Sequence, residues 1–425
     1  MSGFEGKRLL VLAGTGPHVQ VVRRAKELGI HTIVADYLAP GMASPAKLIA
    51  DETWEISLLD VDALIRKCRE EPVDGVLAAW SDISQEPYFA LCSALGLPCY
   101  GTGGQFRTMT NKHAFKKLCV ECGVSVIPEY TREEALAGRA EFPVFVKPAD
   151  SRGSKGTSLC ENMEQLQRGI AYAEANSLSG EILIERYIGN KNSFQVNYFF
   201  VNGEAYVLRT ADGYKGLVSE QLDRVALCSV SPSVYTEEYM AKANDAFVAM
   251  MKSIGFENGP VMAQGFYDRG VFRFYDPGLR FPGVVFDEVY HRLFGVDFAE
   301  VMITYALTGV MPALPLSNQS VYLDGKIGCI LYPTLKAGTV SSVSGMEQVK
   351  SNPKVWSFDT RYAPGDQVEW TFTTRQRLAE IVFVAESFSD LKATILDLQR
   401  TIRVADENGA DMMYCPFDVE RLTQR

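Results

Sequence analysis

Six features spread along the chain carry side chains suited to one chemistry: Lys147, the run Ser151-Arg152-Gly153-Ser154-Lys155-Gly156, Glu185, Gln264, Asp276 and Arg280. Lys147 closes an apolar run and precedes Pro148, so its backbone is extended and its ammonium is aimed off a strand end. Gly153 and Gly156, with Ser154 between them, give a loop whose backbone N–H groups can close over phosphate oxygens. Ile182-Leu183-Ile184 is an apolar strand fit to wall a purine slot, and the chain leaving it from Glu185 to Ile188 has backbone groups suited to an adenine edge. Gln264 and Asp276 flank the tight turn Asp268-Arg269-Gly270, which sets them side by side on paired strands. Two oxygen donors so placed suit Mg2+, which takes its other ligands from water and nucleotide phosphates. Arg280, on the irregular Pro277-Gly278-Leu279-Arg280-Phe281-Pro282-Gly283, offers a planar cation to a phosphoryl group in transfer or to an acyl phosphate. Taken singly, each has an ordinary explanation in a solvated lysine, a buried strand or a surface hairpin. Their order in one chain, with strand-like segments between, points to a magnesium-bound triphosphate.

The elements that must position these residues fall into three styles. Over the first hundred residues, strands and helices alternate: strand Arg8 to Ala13, helix His18 to Leu28, strand Thr32 to Ala35, helix Val61 to Arg69, strand Gly75 to Ala79, helix Gln85 to Leu95. Such alternation predicts a parallel sheet covered by helices. From Pro143 onward short strands dominate, including a hairpin turned at Asn202-Gly203 and a strand pair around Gly270, with a helix from Thr236 to Gly255 between them. Beyond Leu307 the sequence is β-rich and broken by Pro and Gly, and it closes with a helix from Ser389 to Val404. The fold class is therefore α/β at the N-terminus and α+β beyond it.

Bulk properties narrow the function. A chain of 425 residues is long for one core and corresponds to about three domains of roughly 150 residues. Its net charge of -10 argues against a nucleic-acid partner, since such partners select clustered Lys and Arg. No apolar stretch reaches the roughly 20 residues a membrane helix needs. The N-terminal residues pass straight into a strand without a small-residue cleavage site, so a cytoplasmic location is expected. Nine scattered cysteines read as reduced thiols, and the close pair Cys119 and Cys122 reads as helix packing. The loop Gly14-Thr15-Gly16-Pro17-His18 followed by Asp36 invites a dinucleotide reading, but Val19 stands where the third glycine of that fingerprint belongs. His18 and His291 are available for proton transfer, although a lone histidine is more often structural.

Together these motifs resemble the ATP-grasp superfamily, in its carboxylate-amine ligase branch, similar to carbamoyl-phosphate synthetase large subunits, biotin carboxylases and amino-acid ligases. The resemblance covers nearly the whole chain. It rests on the N-terminal sheet, Asn111-Lys112 at a helix entry, Phe145-Val146-Lys147-Pro148, the glycine loop, Ile184-Glu185-Arg186-Tyr187-Ile188, and the block from Gln264 to Arg280. In the tail, Lys336-Ala337-Gly338-Thr339-Val340 is the main match.

The resemblance implies a Rossmann-like domain at 1–105, an ATP-grasp domain of two α+β lobes at 106–310 with its flap lobe at 124–190, and a β-rich lobe at 311–425 that completes the substrate site. It implies that Lys112 and Lys147 contact ATP phosphates, that Gly153, Ser154 and Gly156 cover them, and that backbone at Glu185 and Tyr187 reads adenine. Asn192 takes the ribose-binding position, Gln264 and Asp276 hold Mg2+ (or Mn2+ in its place), and Arg280 stabilises the charged intermediate. Three positions depart from the family pattern: Gly278 replaces an asparagine that ligates metal, Asp276 replaces a longer Glu, and Asn192 replaces an acid. The implied reaction phosphorylates a small carboxylate with ATP and passes the acyl group to an amine; a homodimer is compatible with this. Two other readings stay open. One is a nucleotide-binding protein without turnover that serves regulation or assembly, motivated by Gly278 and Asn192. The other is a Rossmann oxidoreductase binding its cofactor at Gly14 to Asp36.

Overall fold

The apolar run Leu9-Leu10-Val11-Leu12 is wholly buried because it forms the middle of a parallel sheet covered on both faces. The computed structural model describes residues 3–41, 43–149, 156–177, 179–189, 193–216, 225–283, 286–369 and 374–423. In chain order the first elements are β1 (Arg8–Leu12), α1 (Gly16–Glu27), β2 (His31–Asp36), β3 (Glu52–Glu55), α2 (Val61–Glu70), β4 (Gly75–Leu77) and α3 (Gln85–Leu95). The strands order as β3-β2-β1-β4, all parallel. The expected βαβ pattern is met, and β3 is an addition. Its Glu-Thr-Trp-Glu sequence lacks an apolar run, and it is held as an edge strand by pairing with β2 and by Arg8 on Glu52 at 3.0 Å.

Asp36 closes the loop after β1 on itself. Its carboxylate accepts from the Gly14 N–H at 2.9 Å and the Ser44 hydroxyl at 2.7 Å, and it pairs with Lys47 at 3.0 Å. A Cβ at Gly14 would lie 2.0 Å from the Ser44 oxygen, so only glycine fits there. The acid that would hold a ribose in a dinucleotide site is thus committed to its own loop.

Helices α4 (Gly103–Thr110) and α5 (Lys112–Glu121) lead from this domain into a four-stranded antiparallel sheet. Thr102 caps α4 with Gln105 in a reciprocal capping box, and Asn111 caps α5 through the Ala114 N–H at 3.0 Å. The small sheet orders as β5-β8-β6-β7, with β5 at Glu129–Tyr130, β6 at Val144–Pro148, β7 at Ser158–Cys160 and β8 at Ile182–Arg186. Val144, Val146 and Ile184 face a private core with the helix Met163–Ala175, which leaves the alternate residues Lys147 and Glu185 on the opposite face.

An eight-stranded sheet forms the rest of the frame. Its strands are β9 (Ser193–Val201), β10 (Glu204–Lys215), β11 (Ala226–Ser231), β12 (Gly259–Asp268), β13 (Val271–Gly278), β14 (Ile327–Leu331), β15 (Val355–Thr360) and β16 (Ala379–Ala385). Their order is β13-β12-β9-β10-β11-β14-β16-β15, antiparallel throughout. The hairpin at Asn202-Gly203 forms as expected, with φ of 50° and 82°, and Arg269-Gly270 repeats it with 50° and 84°. The boundary placed at 310 falls between strands of this one sheet, because β11 pairs with β14 through Cys228 opposite Leu331. The helix expected from Thr236 to Gly255 is two helices, Thr236–Lys242 and Asn244–Ser253, separated by Ala243 with φ of -128°. On β16, Val382 and Val384 pack toward the N-terminal domain while Ile381 and Phe383 pack toward the helix Phe388–Thr401. One face of the sheet therefore meets the N-terminal domain, and this is the face that carries the polar residues considered below.

Candidate active site

Lys147 and Glu185 meet because β6 and β8 are antiparallel with Phe145 opposite Glu185 and Lys147 opposite Leu183. The Lys147 ammonium lies 2.8 Å from one Glu185 oxygen, and Lys116 of α5 lies 2.5 Å from the other. Lys116 is also paired with Glu129. All three side chains of the Lys116–Glu185–Lys147 bridge are nearly inaccessible, at 5%, 3% and 7% exposure. Burial alone would raise the Glu185 carboxyl, but the two ammonium groups hold it below the usual range. Burial pulls the Lys147 ammonium down, with Lys116 and Lys112 pushing the same way and Glu185 opposing. Lys147 thus sits among like charges with one shared counter-ion, a setting that favours an incoming polyphosphate.

The floor of the cleft is the β12–β13 hairpin, and a bulge sets it. Gln264 pairs with Asp276, but Gly265 pairs with Phe274, so Tyr275 is an extra residue. Strict alternation after Tyr275 would turn Asp276 into the core. The bulge instead lets Tyr275 and Asp276 both stay out of the core that buries Phe274. Tyr275 donates to the Gln264 amide oxygen at 3.1 Å, and its ring lies under the Lys147 ammonium at 5.4 Å. Asp276 reaches Lys112 at 3.8 Å. Its carboxyl is raised, first by desolvation low in the cleft and then by Asp82, with Lys112, Lys147 and Arg280 opposing. Lys112, Lys147, Gln264, Asp276 and Arg280 are thus brought to one cleft between the small sheet and the large one.

Arg280 follows on the strand end, held by Asp82 from the loop after β4. Its NH2 group bonds one Asp82 oxygen at 2.6 Å, Nε bonds the other, and NH1 bonds the Phe281 carbonyl at 2.9 Å. Burial would weaken this cation, but Asp82 outweighs it and raises the guanidinium further. Gly278 is what admits the pair: a Cβ there would meet Asp82 and Arg280 atoms at 3.2 Å. Replacing Asp82 with alanine is expected to cost about 1.5–3 kcal/mol of stability, the range for a hydrogen bond to a charged group, reduced by the partial exposure of Asp82. Urea denaturation reads this, and an unchanged midpoint would show that Arg280 does not depend on the contact.

The remaining expected site residues have the following positions. The backbone of Glu185 runs in register between β5 and β6, and its carboxylate organises two lysines. Beyond it, the Tyr187 N–H bonds the Pro143 carbonyl at 3.2 Å and the chain leaves the sheet. Gly156 has φ of 75°, and a Cβ on it would strike Pro148 and Asn176 atoms at 2.7 Å, so the loop must return to β7 through glycine. Gly153, Ser154 and Asn192 lie outside the described residues. His18 is fully buried, accepts or donates at Nδ1 with the Thr15 hydroxyl at 2.9 Å, and is pushed down to about 4 by burial. His291 is 58% exposed and flanks Glu288. Cys119 is buried in the core and Cys122 is half-buried, both as free thiols.

Sequence reading missed Lys116, Tyr275 and Asp82. Lys116 carried a signal, being one helical turn from Lys112. Asp82 follows the carboxyl end of a parallel strand, where sites in such sheets gather. Tyr275 carried none, because the bulge that turns it toward Gln264 has no sequence mark.

For a metal, the described residues contain no group of three or more His, Cys, Asp or Glu. The donors present are the Asp276 carboxylate and the Gln264 amide oxygen, side by side in register. That pair fits Mg2+ carrying phosphate and water as its remaining ligands.

Residues 108–201 match the carbamoyl-phosphate synthase L chain ATP-binding domain, and residues 331–407 match the L-amino acid ligase C-terminal domain 2. The small subunit of 2-oxoglutarate carboxylase from Hydrogenobacter thermophilus is 25% identical over 320 residues, covering 71% of this chain and 66% of that protein. Biotin carboxylase 1 of Bacillus subtilis is 24% identical over 339 residues, covering 75% of this chain and 74% of that one. The methylcrotonoyl-CoA carboxylase alpha subunit of Dictyostelium discoideum is 25% identical over 258 residues, and the match spans 36% of its length. Among solved structures, L-amino acid ligase from Bacillus licheniformis superposes with TM-score 0.75 at 17% identity, covering 95% of this chain and 100% of that one. Phosphoribosylglycinamide synthetase from Anaerococcus prevotii gives 0.72 at 16%, with the same coverage. The fold is that of ATP-grasp enzymes, and residues 108–201 and 331–407 are similar to two domains of such enzymes.

Proposed function

We propose that the chain is an ATP- and Mg2+-dependent ligase that activates a small carboxylate as an acyl phosphate and joins it to an amine. The observation that carries this is the convergence of Lys112, Lys147, Asp276 and Arg280, distant in sequence, on one cleft. Lys112 and Lys147 bind and polarise the phosphates, Gln264 and Asp276 hold Mg2+, and Arg280 faces the charge that develops on the transferring group. Bound Mg2+ would neutralise phosphate charge as it builds. A carboxylate oxygen of the acid bonds to the γ-phosphorus as the bridge to ADP breaks. The amine nitrogen then bonds to the acyl carbon, inorganic phosphate departs, and it takes up the proton the amine gives up. Similarity to carboxylases and amino-acid ligases supports this class of reaction without selecting the acid or the amine.

The test is release of ADP and phosphate on mixing ATP, Mg2+ and a panel of acids and amines. Stoichiometric ADP and amide supports the ligase. Nucleotide binding without ADP release across the panel would instead support a non-catalytic nucleotide-binding protein, the reading that Gly278 and the two-donor metal site favour. In an active enzyme, Asp276→Ala is expected to lower turnover about 100-fold, as for removal of one charge-stabilising group, while thermal unfolding stays unchanged. Turnover within a few fold of wild type would remove Asp276 from the metal site.

A further inference from the structure

The large sheet buries a second cationic cluster that the phosphate cleft does not use. Arg209 on β10 is 3% exposed, and its Nε and NH2 groups bond only the hydroxyls of Ser231 at 2.6 Å and Ser229 at 2.8 Å. Its guanidinium lies 4.7 Å over the ring of Phe286. Among the described residues no carboxylate bonds it. Asp212, the acid whose charge it feels, is engaged by the Ser233 hydroxyl at 2.5 Å and the Val234 N–H at 3.0 Å. The other groups facing Arg209 are Tyr332, Tyr290 and Cys329, all neutral when protonated.

Tyr332 connects Arg209 to a second guanidinium. Arg377 lies 4.0 Å over the Tyr332 ring and bonds Glu380 at 2.9 Å, while its buried Nε has no partner among the described residues. Glu380 is shared with Arg361, so one carboxylate serves two arginines, and among the described residues it does not bond Arg209. A buried cation matched only by neutral hydroxyls and aromatic rings is costly unless an anion joins it. The cluster also borders the reaction cleft. Phe286 lies six residues beyond Arg280, and Gly328 is what lets its ring lie against the sheet, since a Cβ there would sit 2.6 Å from it. Asp359, in register with Glu380, lies 2.8 Å from where a Cβ of Gly16 would be, which brings the loop after β1 to the same place.

We propose that Arg209, with Arg377 across Tyr332, binds a second anionic group of the small-molecule substrate, one distinct from the carboxylate that is phosphorylated. The ligand chemistry is an oxyanion on a small molecule, carried either by the acid or by the amine. Which molecule arrives rests on the ligase reading; the site itself does not.

Equilibrium titration with matched probes tests it: succinate against succinamate, and β-alanine against β-alaninamide, on wild type, Arg209→Met and Arg377→Met. At least one anionic probe is expected to bind wild type about tenfold or more tightly than its amide, with the preference lost in Arg209→Met and reduced in Arg377→Met. The succinate arm assigns the group to the acid, the β-alanine arm to the amine. Equal binding of charged and amide probes, or a preference that survives in Arg209→Met, overturns the proposal. If Arg209→Met does not fold, Arg377→Met decides by the same comparison. Binding without ADP release would count against the ligase reading and not this one. ADP release with the anionic preference intact in both variants would count against this one alone.

Discussion

Lys147→Ala is expected to lower turnover by about 100–1,000-fold, the range seen when one preorganised donor to developing charge is removed. The reason is local. Lys147 leaves β6 into the cleft, stands over Tyr275, and feels both Lys112 and Lys116, with Glu185 and Asp276 opposing. Its counter-ion Glu185 is shared with Lys116, which leaves positive charge from which, on the proposed function, nucleotide phosphates would gain. Removing it leaves Glu185 paired with Lys116, so the fold is expected to survive. Steady-state ADP release and far-ultraviolet circular dichroism measure the two halves of the statement. Kinetics like wild type in a folded variant would take Lys147 out of the phosphate site.

Glu185→Ala is expected to act on stability instead, by about 3–5 kcal/mol, as for breaking a buried ion pair by removing one partner. It strands two ammonium groups that the small sheet and α5 bring together, at 2.8 and 2.5 Å from the lost carboxylate. Urea denaturation measures it, and a loss under about 1 kcal/mol, the scale of an exposed pair, would show that the bridge is solvated. The pH dependence has a definite sign. The folded-state carboxyl titrates below its ordinary value, so the wild-type contribution is complete above about pH 4.3 and fades as pH falls below that. Glu185→Ala is expected to lose that part of the acid dependence.

Local signals made much of this legible. Asn202-Gly203 and Arg269-Gly270 specified their hairpins because both turn residues take positive φ, and the second turn brought Gln264 near Asp276, although its spacing alone pairs Gln264 with Tyr275 and the bulge moves the partner one residue on. The alternation of Val144, Phe145, Val146 and Lys147 placed the lysine on the open face of its strand. What stayed hidden was non-local. The bulge at Tyr275 shows only in the pairing of β12 with β13, and pairing of β11 with β14 joins residues 101 apart, such as Ser229 and Ile330. Asp82 binding Arg280 spans 198 positions, and no periodicity reports such a contact. The role of the Glu185 carboxylate is not legible in its own segment, because Lys116 arrives from a helix 69 residues earlier.

On the proposed function, Lys147 and Asp276 serve one nucleotide. Calorimetric titration of a non-hydrolysable ATP analogue, with and without Mg2+, into wild type, Lys147→Ala and Asp276→Ala tests it most directly. One site per chain is expected, with at least about tenfold weaker binding in Lys147→Ala and loss of the Mg2+-dependent part of the affinity in Asp276→Ala. Unchanged affinity in Lys147→Ala together with an intact Mg2+ effect in Asp276→Ala would contradict it.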